Sequence, residues 1–126
     1  MINKNSREII CIYTTNGKKH DFKALKDSRL PIKLDTTVVV DSGYQGLQKI
    51  HTNTELPIKK TKKNPLSEEN RKANHSLASK RAFNEHVNGV IKVFKILAEK
   101  YRNRRKRFNL RFNLIAGIYN FELNKI

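Results

Sequence analysis

A short run of β-branched residues most constrains the fold of this chain. Residues 36–40 read TTVVV, and an unbroken run of this kind is typical of a strand buried on both faces. The run stops at Asp41, and the glycine-punctuated loop Ser42–Gly46 follows it. Because open α/β sheets place their sites just beyond the carboxyl ends of buried strands, this loop is the first candidate site.

The rest of the pattern predicts an α/β chain. Residues 8–14 (EIICIYT) have the composition of a strand and precede the turn signal Asn16-Gly17. A short helix is expected over Asp21–Asp27. Ser67 is a good N-cap for a helix that we expect to run to about Lys100, with two glutamates in its first turn. A second helix over Phe108–Leu123 is apolar on two faces, which predicts that it lies buried between layers.

Charge gives the strongest indication of a partner. The chain has 27 Lys and Arg against 11 Asp and Glu, a net charge of +16, and residues 59–126 hold eighteen of those cations against five acids. Such an excess predicts a polyanionic partner, most often nucleic acid. The cations form two clusters, for which phosphate contact and a solvated face are the alternatives. They are Lys59, Lys60, Lys62 and Lys63, then Arg102, Arg104, Arg105, Lys106 and Arg107.

Several classes of protein are excluded or disfavoured. No apolar run approaches the ~18 residues of a membrane span, and the first residues lack the plan of a signal peptide. A single Cys excludes a disulfide framework and a thiolate zinc site. With no internal repeat or linker, these features predict one cytoplasmic domain over residues 1–126.

Two acids stand at positions suited to phosphodiester chemistry. Asp41 ends the predicted buried strand, and Glu85 shares a helix face with Arg81 and Lys92, opposite the apolar stripe. Mg²⁺ is held by one or two carboxylates together with substrate phosphates, and paired ions stabilise both oxygens of a phosphodiester displacement. The alternative is that Glu85 is a solvated partner of Arg81, four residues earlier.

Several segments in combination resemble the DDE-class transposases of bacterial insertion sequences, in the family numbered five. In that family an Arg stands four residues before the catalytic Glu and a Lys seven after it, spacings that Arg81, Glu85 and Lys92 keep. The Tyr often found three residues before the Arg is replaced by Ala78. The matching segments are DSGYQG at residues 41–46, PIKK at 57–60, RAFNE at 81–85 with Asn88-Gly89, the basic stretch and last helix within 101–120, and GKKHD at 17–21.

The resemblance implies an RNase H-like fold with three metal-binding acids. Asp41 matches the second acid and Glu85 the third, whereas the first has no counterpart. Asp21 is not that counterpart, because its GKKHD context belongs after the family's third strand. The resemblance therefore implies a single partial catalytic domain over residues 1–126. Its short mixed sheet would lack the first strands, and the N-terminal DNA-binding region would be absent.

The activity that the resemblance implies is cleavage of DNA at the element ends, followed by transfer of the 3′-hydroxyl to target DNA, with Mg²⁺ or Mn²⁺. Asp41 and Glu85 would hold the metal. Either Tyr44 or Gln45 would contact DNA near the cut, or Tyr44 would serve packing instead. The residues expected to contact phosphates are Arg81, Lys92, Lys59, Lys60, Arg102, Arg104, Arg105 and Arg107.

Lacking the first acid, the chain is expected to be inactive alone and to need the N-terminal segment or another transposase protomer. It is also expected to be marginally stable, with Phe83, Val87 and Phe94 partly exposed. A remnant of an insertion and one of two frameshifted reading frames both fit this interpretation. The alternative from a different class is a small basic nucleic-acid-binding protein without catalysis.

Overall fold

The computed structural model describes residues 1–98 and 107–125, and within them the chain is of the predicted α/β class. In these residues the regular structure consists of two short strands and four helices, and two 3-10 turns, Ser42–Tyr44 and Leu47–Lys49, lie between the strands. The strands are β1 (Val38–Val39) and β2 (Thr54–Glu55), and the helices are α1 (Asp21–Ser28), α2 (Glu68–Ile91), α3 (Lys95–Ala98) and α4 (Phe108–Leu123).

The chain divides into two compact units. The central unit is Thr15–Ala82, and the terminal unit combines Met1–Thr14 with Phe83–Ile126. The boundary between residues 82 and 83 falls inside α2, so this helix begins in the central unit and ends in the terminal unit.

The sheet of the central unit is a two-stranded parallel ladder. Val38 lies opposite Thr54, and Val39 lies opposite Glu55. The Val38 N–H donates to the Asn53 carbonyl at 2.9 Å and the Val40 N–H donates to the Glu55 carbonyl at 3.1 Å. The strand predicted over residues 36–40 is therefore present but shorter, and its valines are half-buried instead of buried on both faces.

Local signals define where the helices of the central unit begin. Helix α1 starts at Asp21, as predicted, and ends at Ser28, after which Arg29 takes a left-handed conformation with a φ of 50°. The Ser67 hydroxyl accepts a hydrogen bond from the Asn70 N–H at 3.2 Å, so Ser67 is the N-cap that the sequence indicated.

Helix α2 ends earlier than predicted, at Ile91 instead of about Lys100. The Lys92 N–H still donates to the Asn88 carbonyl at 3.1 Å, but Val93 and Phe94 then donate three residues back, to Val90 and Ile91. This tighter pattern closes the helix, in a stretch whose β-branched residues have lower helix propensity. The four-residue helix α3 follows after the turn.

The predicted strand over residues 8–14 is wrong. Within this stretch the structure has one isolated antiparallel bridge, between Ile2 and Ile9. On its other side Ile9 pairs with a side chain: its N–H donates to Asn120 Oδ1 at 2.9 Å, and Asn120 Nδ2 donates to its carbonyl at 2.9 Å. Asn120 on α4 thus binds the backbone of Ile9, whereas the sequence predicted a neighbouring strand as its partner.

The core of the terminal unit corrects two further expectations. Val87 is fully buried at 0% exposure, whereas Phe83 is half-buried and Phe94 is 38% exposed. Helix α4 has the predicted bounds but buries one face only, through residues such as Ile115 and Ala116. Its other face, which was expected to be covered, is exposed: Leu110, Leu114, Ile118 and Phe121.

Candidate catalytic loop and nucleic-acid interface

Asp41 is fixed by the turn that it caps. Its Oδ1 accepts a hydrogen bond from the Gly43 N–H at 2.8 Å, and its carbonyl accepts one from the Tyr44 N–H at 3.2 Å. A short acidic side chain commonly closes a turn in this way, by bonding to the backbone two residues later. The carboxylate is thereby held just beyond the end of β1, where the sequence predicted a site.

A second carboxylate lies beside the same turn. A Cβ atom built on Gly43 would stand 3.0 Å from Asp41 Oδ1 and 3.1 Å from Asp21 Oδ2. Asp21 is the first residue of α1, and α1 packs against the Ser42–Tyr44 turn. Sequence reasoning set Asp21 apart from the metal-binding acids, and no local signal indicated that it would approach the Asp41 turn.

The charges of these two acids also affect the pKa of Tyr44. Burial raises the pKa of the Tyr44 phenol above its ordinary value of 10.0, and the negative charges of Asp21 and Asp41 raise this pKa further. The side chain is half-buried. These features favour the packing alternative for Tyr44 over a DNA contact.

The loop after Asp41 is joined to the first basic cluster. Gln45 Nε2 donates to the Pro57 carbonyl at 3.3 Å. Asn74, on α2, binds the next residue twice: it accepts from the Ile58 N–H at 2.8 Å and donates to the Ile58 carbonyl at 2.9 Å. Lys59 follows directly and is exposed.

The four lysines of this cluster, residues 59, 60, 62 and 63, are all exposed. Within residues 1–98 and 107–125 none of them forms an ion pair or a side-chain hydrogen bond. Nearby Lys80 differs, because its Nζ lies 2.8 Å from Glu55 Oε2. The cluster therefore keeps its positive charge available to an external anion.

Glu85 lies in the part of α2 that belongs to the terminal unit, and it is exposed. In the described part of the chain it forms no ion pair with Arg81, so the alternative of a simple intrahelical pair is not seen. Lys92, also exposed, stands one residue beyond the last residue of α2.

Arg81 and Asn84 carry buried polar atoms that sequence reasoning missed. Arg81 Nε and Asn84 Oδ1 are both buried and lack a hydrogen-bond partner among the described residues. A buried polar group without a partner carries a desolvation penalty of about 1–3 kcal/mol. Arg81 and Asn84 therefore each carry this penalty within α2.

The described residues do not complete a metal centre by themselves. Across residues 1–98 and 107–125, no group of three or more His, Cys, Asp or Glu side chains is placed to hold an ion. Asp41 belongs to the central unit and Glu85 to the terminal unit. Carboxylate oxygens suit Mg²⁺ or Mn²⁺, but further ligands would have to come from outside these residues.

Most of the second basic cluster, including Arg102, Arg104 and Arg105, lies outside the described residues. Arg107 is described: it is exposed and directly precedes α4.

Every helix in the described ranges is too short or too polar to span a lipid bilayer.

Comparison with known proteins places the chain in a family. Residues 1–121 match the family described as the transposase DDE domain. The chain is also 46% identical, over 123 residues, to a protein of Microchaete diplosiphon described as "Probable transposase for insertion sequence element IS702". That match covers 98% of this chain and 45% of the relative. No solved structure matches the chain.

The chain therefore belongs to the DDE transposase family. It spans slightly less than half the length of the insertion-sequence transposase that it matches.

Proposed function

We propose that this chain is the part of an insertion-sequence transposase that contributes two of the three catalytic acids, Asp41 and Glu85. The observation that carries the proposal is the fixed position of Asp41 beyond the end of β1, in a chain of the DDE family. The parent activity is cleavage of element-end DNA and transfer of the 3′-hydroxyl to target DNA, in the cytoplasm. The domain is a single, partial, RNase H-like catalytic domain over residues 1–126.

The two acids are the ligands that this chain supplies toward a divalent metal, Mg²⁺ or Mn²⁺. A bound divalent ion polarises a phosphodiester and activates the attacking oxygen. Because the family's first acid has no counterpart in this chain, that acid would come from another segment. We propose that this segment is the N-terminal part of the transposase or belongs to another protomer.

DNA is the proposed polyanion. Lys59 and Lys60 are exposed next to the loop of Asp41 and would contact the phosphate backbone, while Arg81 and Lys92 would position phosphates near Glu85. The net charge of +16 supports sequence-independent binding that weakens steeply with salt. The remaining proposed contacts come from the second basic cluster: Arg102, Arg104, Arg105 and Arg107.

An assay of cleavage tests the catalytic proposal. Purified chain is incubated with Mg²⁺ or Mn²⁺ and element-end DNA. The assay is run with the chain alone and with an added segment, the part of the matched transposase that this chain does not cover. We expect no cleavage by the chain alone and metal-dependent cleavage when the segment is added. Asp41→Asn and Glu85→Gln should abolish this cleavage. Glu122→Gln is the matched control, since Glu122 is an exposed acid on α4, and should preserve it.

Cleavage by the chain alone, lost on changing Asp41 or Glu85 to Ala, would show that the partial-domain proposal is wrong. The second candidate function is DNA binding without catalysis, and the four exposed lysines of the first basic cluster, which form no ion pair among the described residues, favour it. In that case DNA binding would persist in Asp41→Asn and Glu85→Gln, and no added segment would produce cleavage.

A further inference from the structure

We infer that Asn74 is a positioning residue for DNA binding, which acts by holding the backbone in front of Lys59 and Lys60. This inference rests on the proposed contact between those two lysines and phosphates. It adds a residue that carries no charge and that would not itself touch DNA.

The side-chain amide of Asn74 bonds to both backbone polar groups of Ile58, as a neighbouring strand would. It accepts from the Ile58 N–H at 2.8 Å and donates to the Ile58 carbonyl at 2.9 Å. Both backbone polar groups of one residue are thus bound by one side chain on α2. With both groups held, the direction in which the chain enters Lys59 is set by the helix.

Hydrogen bonds lie on both sides of the lysine pair. Before it, the Pro57 carbonyl accepts from Gln45 Nε2 at 3.3 Å. After it, the Thr61 N–H donates to the Asn64 carbonyl at 3.3 Å, and the Asn64 N–H donates to Thr61 Oγ1 at 3.0 Å. The backbone around the lysines is therefore restrained although their side chains remain exposed.

Restraint of this kind changes the cost of binding. Ordering one backbone residue costs about 1–2 kcal/mol of conformational free energy, and a segment ordered in advance avoids that cost on association. In the free chain, Asn74 holds the backbone in front of both lysines. Without this restraint the lysines would contact phosphates for less of the time, so their contribution to counterion release would fall.

The same contacts connect the lysines to the candidate catalytic loop. Gln45 stands four residues after Asp41 and binds Pro57, the residue before Ile58. A duplex seated on Lys59 and Lys60 would therefore lie in a fixed register with Asp41. Asn74 thus sets where DNA is held, beyond supporting the fold.

The salt dependence of binding separates this role from a structural one. The full chain is titrated onto a fluorescent duplex of arbitrary sequence over a range of NaCl concentrations, with Asn74→Ala, Lys59→Ala/Lys60→Ala and the triple variant. Each phosphate contact contributes about 0.9 to the slope of log affinity against log salt. We expect Lys59→Ala/Lys60→Ala to reduce the slope by up to about 1.8, and Asn74→Ala to reduce it in the same direction. In the triple variant, the loss of Asn74 should add nothing.

Asn120→Ala is the matched control. Asn120 binds both backbone groups of Ile9 in the same way, at 2.9 Å each, but no lysine follows Ile9. We expect this variant to lose thermal stability while keeping the wild-type salt slope. Melting curves identify a temperature at which all variants are folded. If Asn74→Ala does not fold, Ile58→Pro takes its place. This substitution deletes the backbone donor of residue 58, leaves Asn74 in place, and should reduce the salt slope in the same direction.

The outcomes distinguish a failure of the lysine contact with DNA from a failure of the positioning role of Asn74. If the double lysine variant binds with the wild-type slope, the proposed contact of these lysines with DNA fails. If the lysine variant loses slope and Asn74→Ala or Ile58→Pro does not, the lysine contact stands and the positioning role is overturned. An equal effect of Asn74→Ala with and without the lysines would also overturn it.

Discussion

The carboxylates of Asp21 and Asp41 both approach Gly43, with one oxygen of each about 3 Å from where a side chain would begin. This arrangement joins the first residue of α1 to the turn that follows β1. It makes Gly43 the position at which the geometry of the candidate catalytic loop is most easily tested.

Gly43→Ala should destabilise the chain by about 1–3 kcal/mol, the usual cost of forcing extra atoms into a packed site. The new Cβ would meet Asp41 Oδ1 at 3.0 Å and Asp21 Oδ2 at 3.1 Å, so each carboxylate would have to give way by a few tenths of an ångström. Chemical denaturation measures the change in the free energy of unfolding. A variant as stable as wild type would show that the turn yields without cost.

Gly117→Ala is the matched control for that substitution. Gly117 lies within α4, and a Cβ there meets nothing within 4 Å. Because Ala is a better helix former than Gly, this variant should be more stable by about 1 kcal/mol. The two Gly→Ala substitutions should therefore have opposite signs.

The Tyr44 phenol should titrate above its ordinary pKa of 10.0, because burial and then the charges of Asp21 and Asp41 raise its pKa. Asp21→Asn should lower this pKa but leave it above 10.0, since burial is the largest cause. The neutral phenol's contribution to stability is complete below pH 10.0 and is lost as pH rises through the folded-state pKa. Phenolate absorbance follows the titration, and Tyr44→Phe should remove the late-titrating component.

Glu8 should titrate below its ordinary pKa of 4.5. Hydrogen bonds to its carboxylate lower this pKa, first from Asn124 Nδ2 at 2.8 Å and then from the Ser6 hydroxyl at 2.8 Å. The contribution to stability is present above pH 4.5 and is lost as pH falls through the folded-state pKa. Asn124→Ala should raise the pKa toward 4.5, as followed by carboxyl NMR, whereas Asn113→Ala should not change it, because Asn113 donates to the Asn109 carbonyl instead.

Replacing Arg104, Arg105 and Arg107 together with Ala should weaken DNA binding to all sequences alike. Three lost phosphate contacts would reduce the salt slope by up to about 2.7. Binding isotherms on two unrelated duplexes at several salt concentrations measure both effects. A triple variant that binds as well as wild type would remove this cluster from the proposed interface.

Sequence reasoning succeeded where the determining signals are local. The bounds of α4 were predicted from its apolar residues, and the start of α2 followed from Ser67, whose hydroxyl accepts the Asn70 N–H within a single turn. Asp41 at the end of a short strand was likewise predicted from a β-branched run. Each of these features depends on residues within a few positions of one another.

Sequence reasoning failed where a residue distant in the chain determines the local structure or the packing. Residues 8–14 have strand composition, yet the partner of Ile9 is Asn120, 111 positions away, and composition cannot specify it. The approach of Asp21 to Gly43 likewise depends on how α1 packs, and the exposed face of α4 depends on what packs against it. The functional assignments of Asp41 and Glu85 stay predictions, since no contact among the described residues tests them.

The small core has a thermodynamic consequence. Among the described residues only six apolar side chains are buried, while thirteen large ones remain exposed, among them Leu110 and Phe121. Unfolding such a chain exposes little new apolar surface to water. Its heat-capacity change of unfolding should therefore fall below the usual value of roughly 12–15 cal/mol/K per residue. Its stability curve would then be shallow, with a melting transition that is broad and a free energy that changes little between cold and warm conditions.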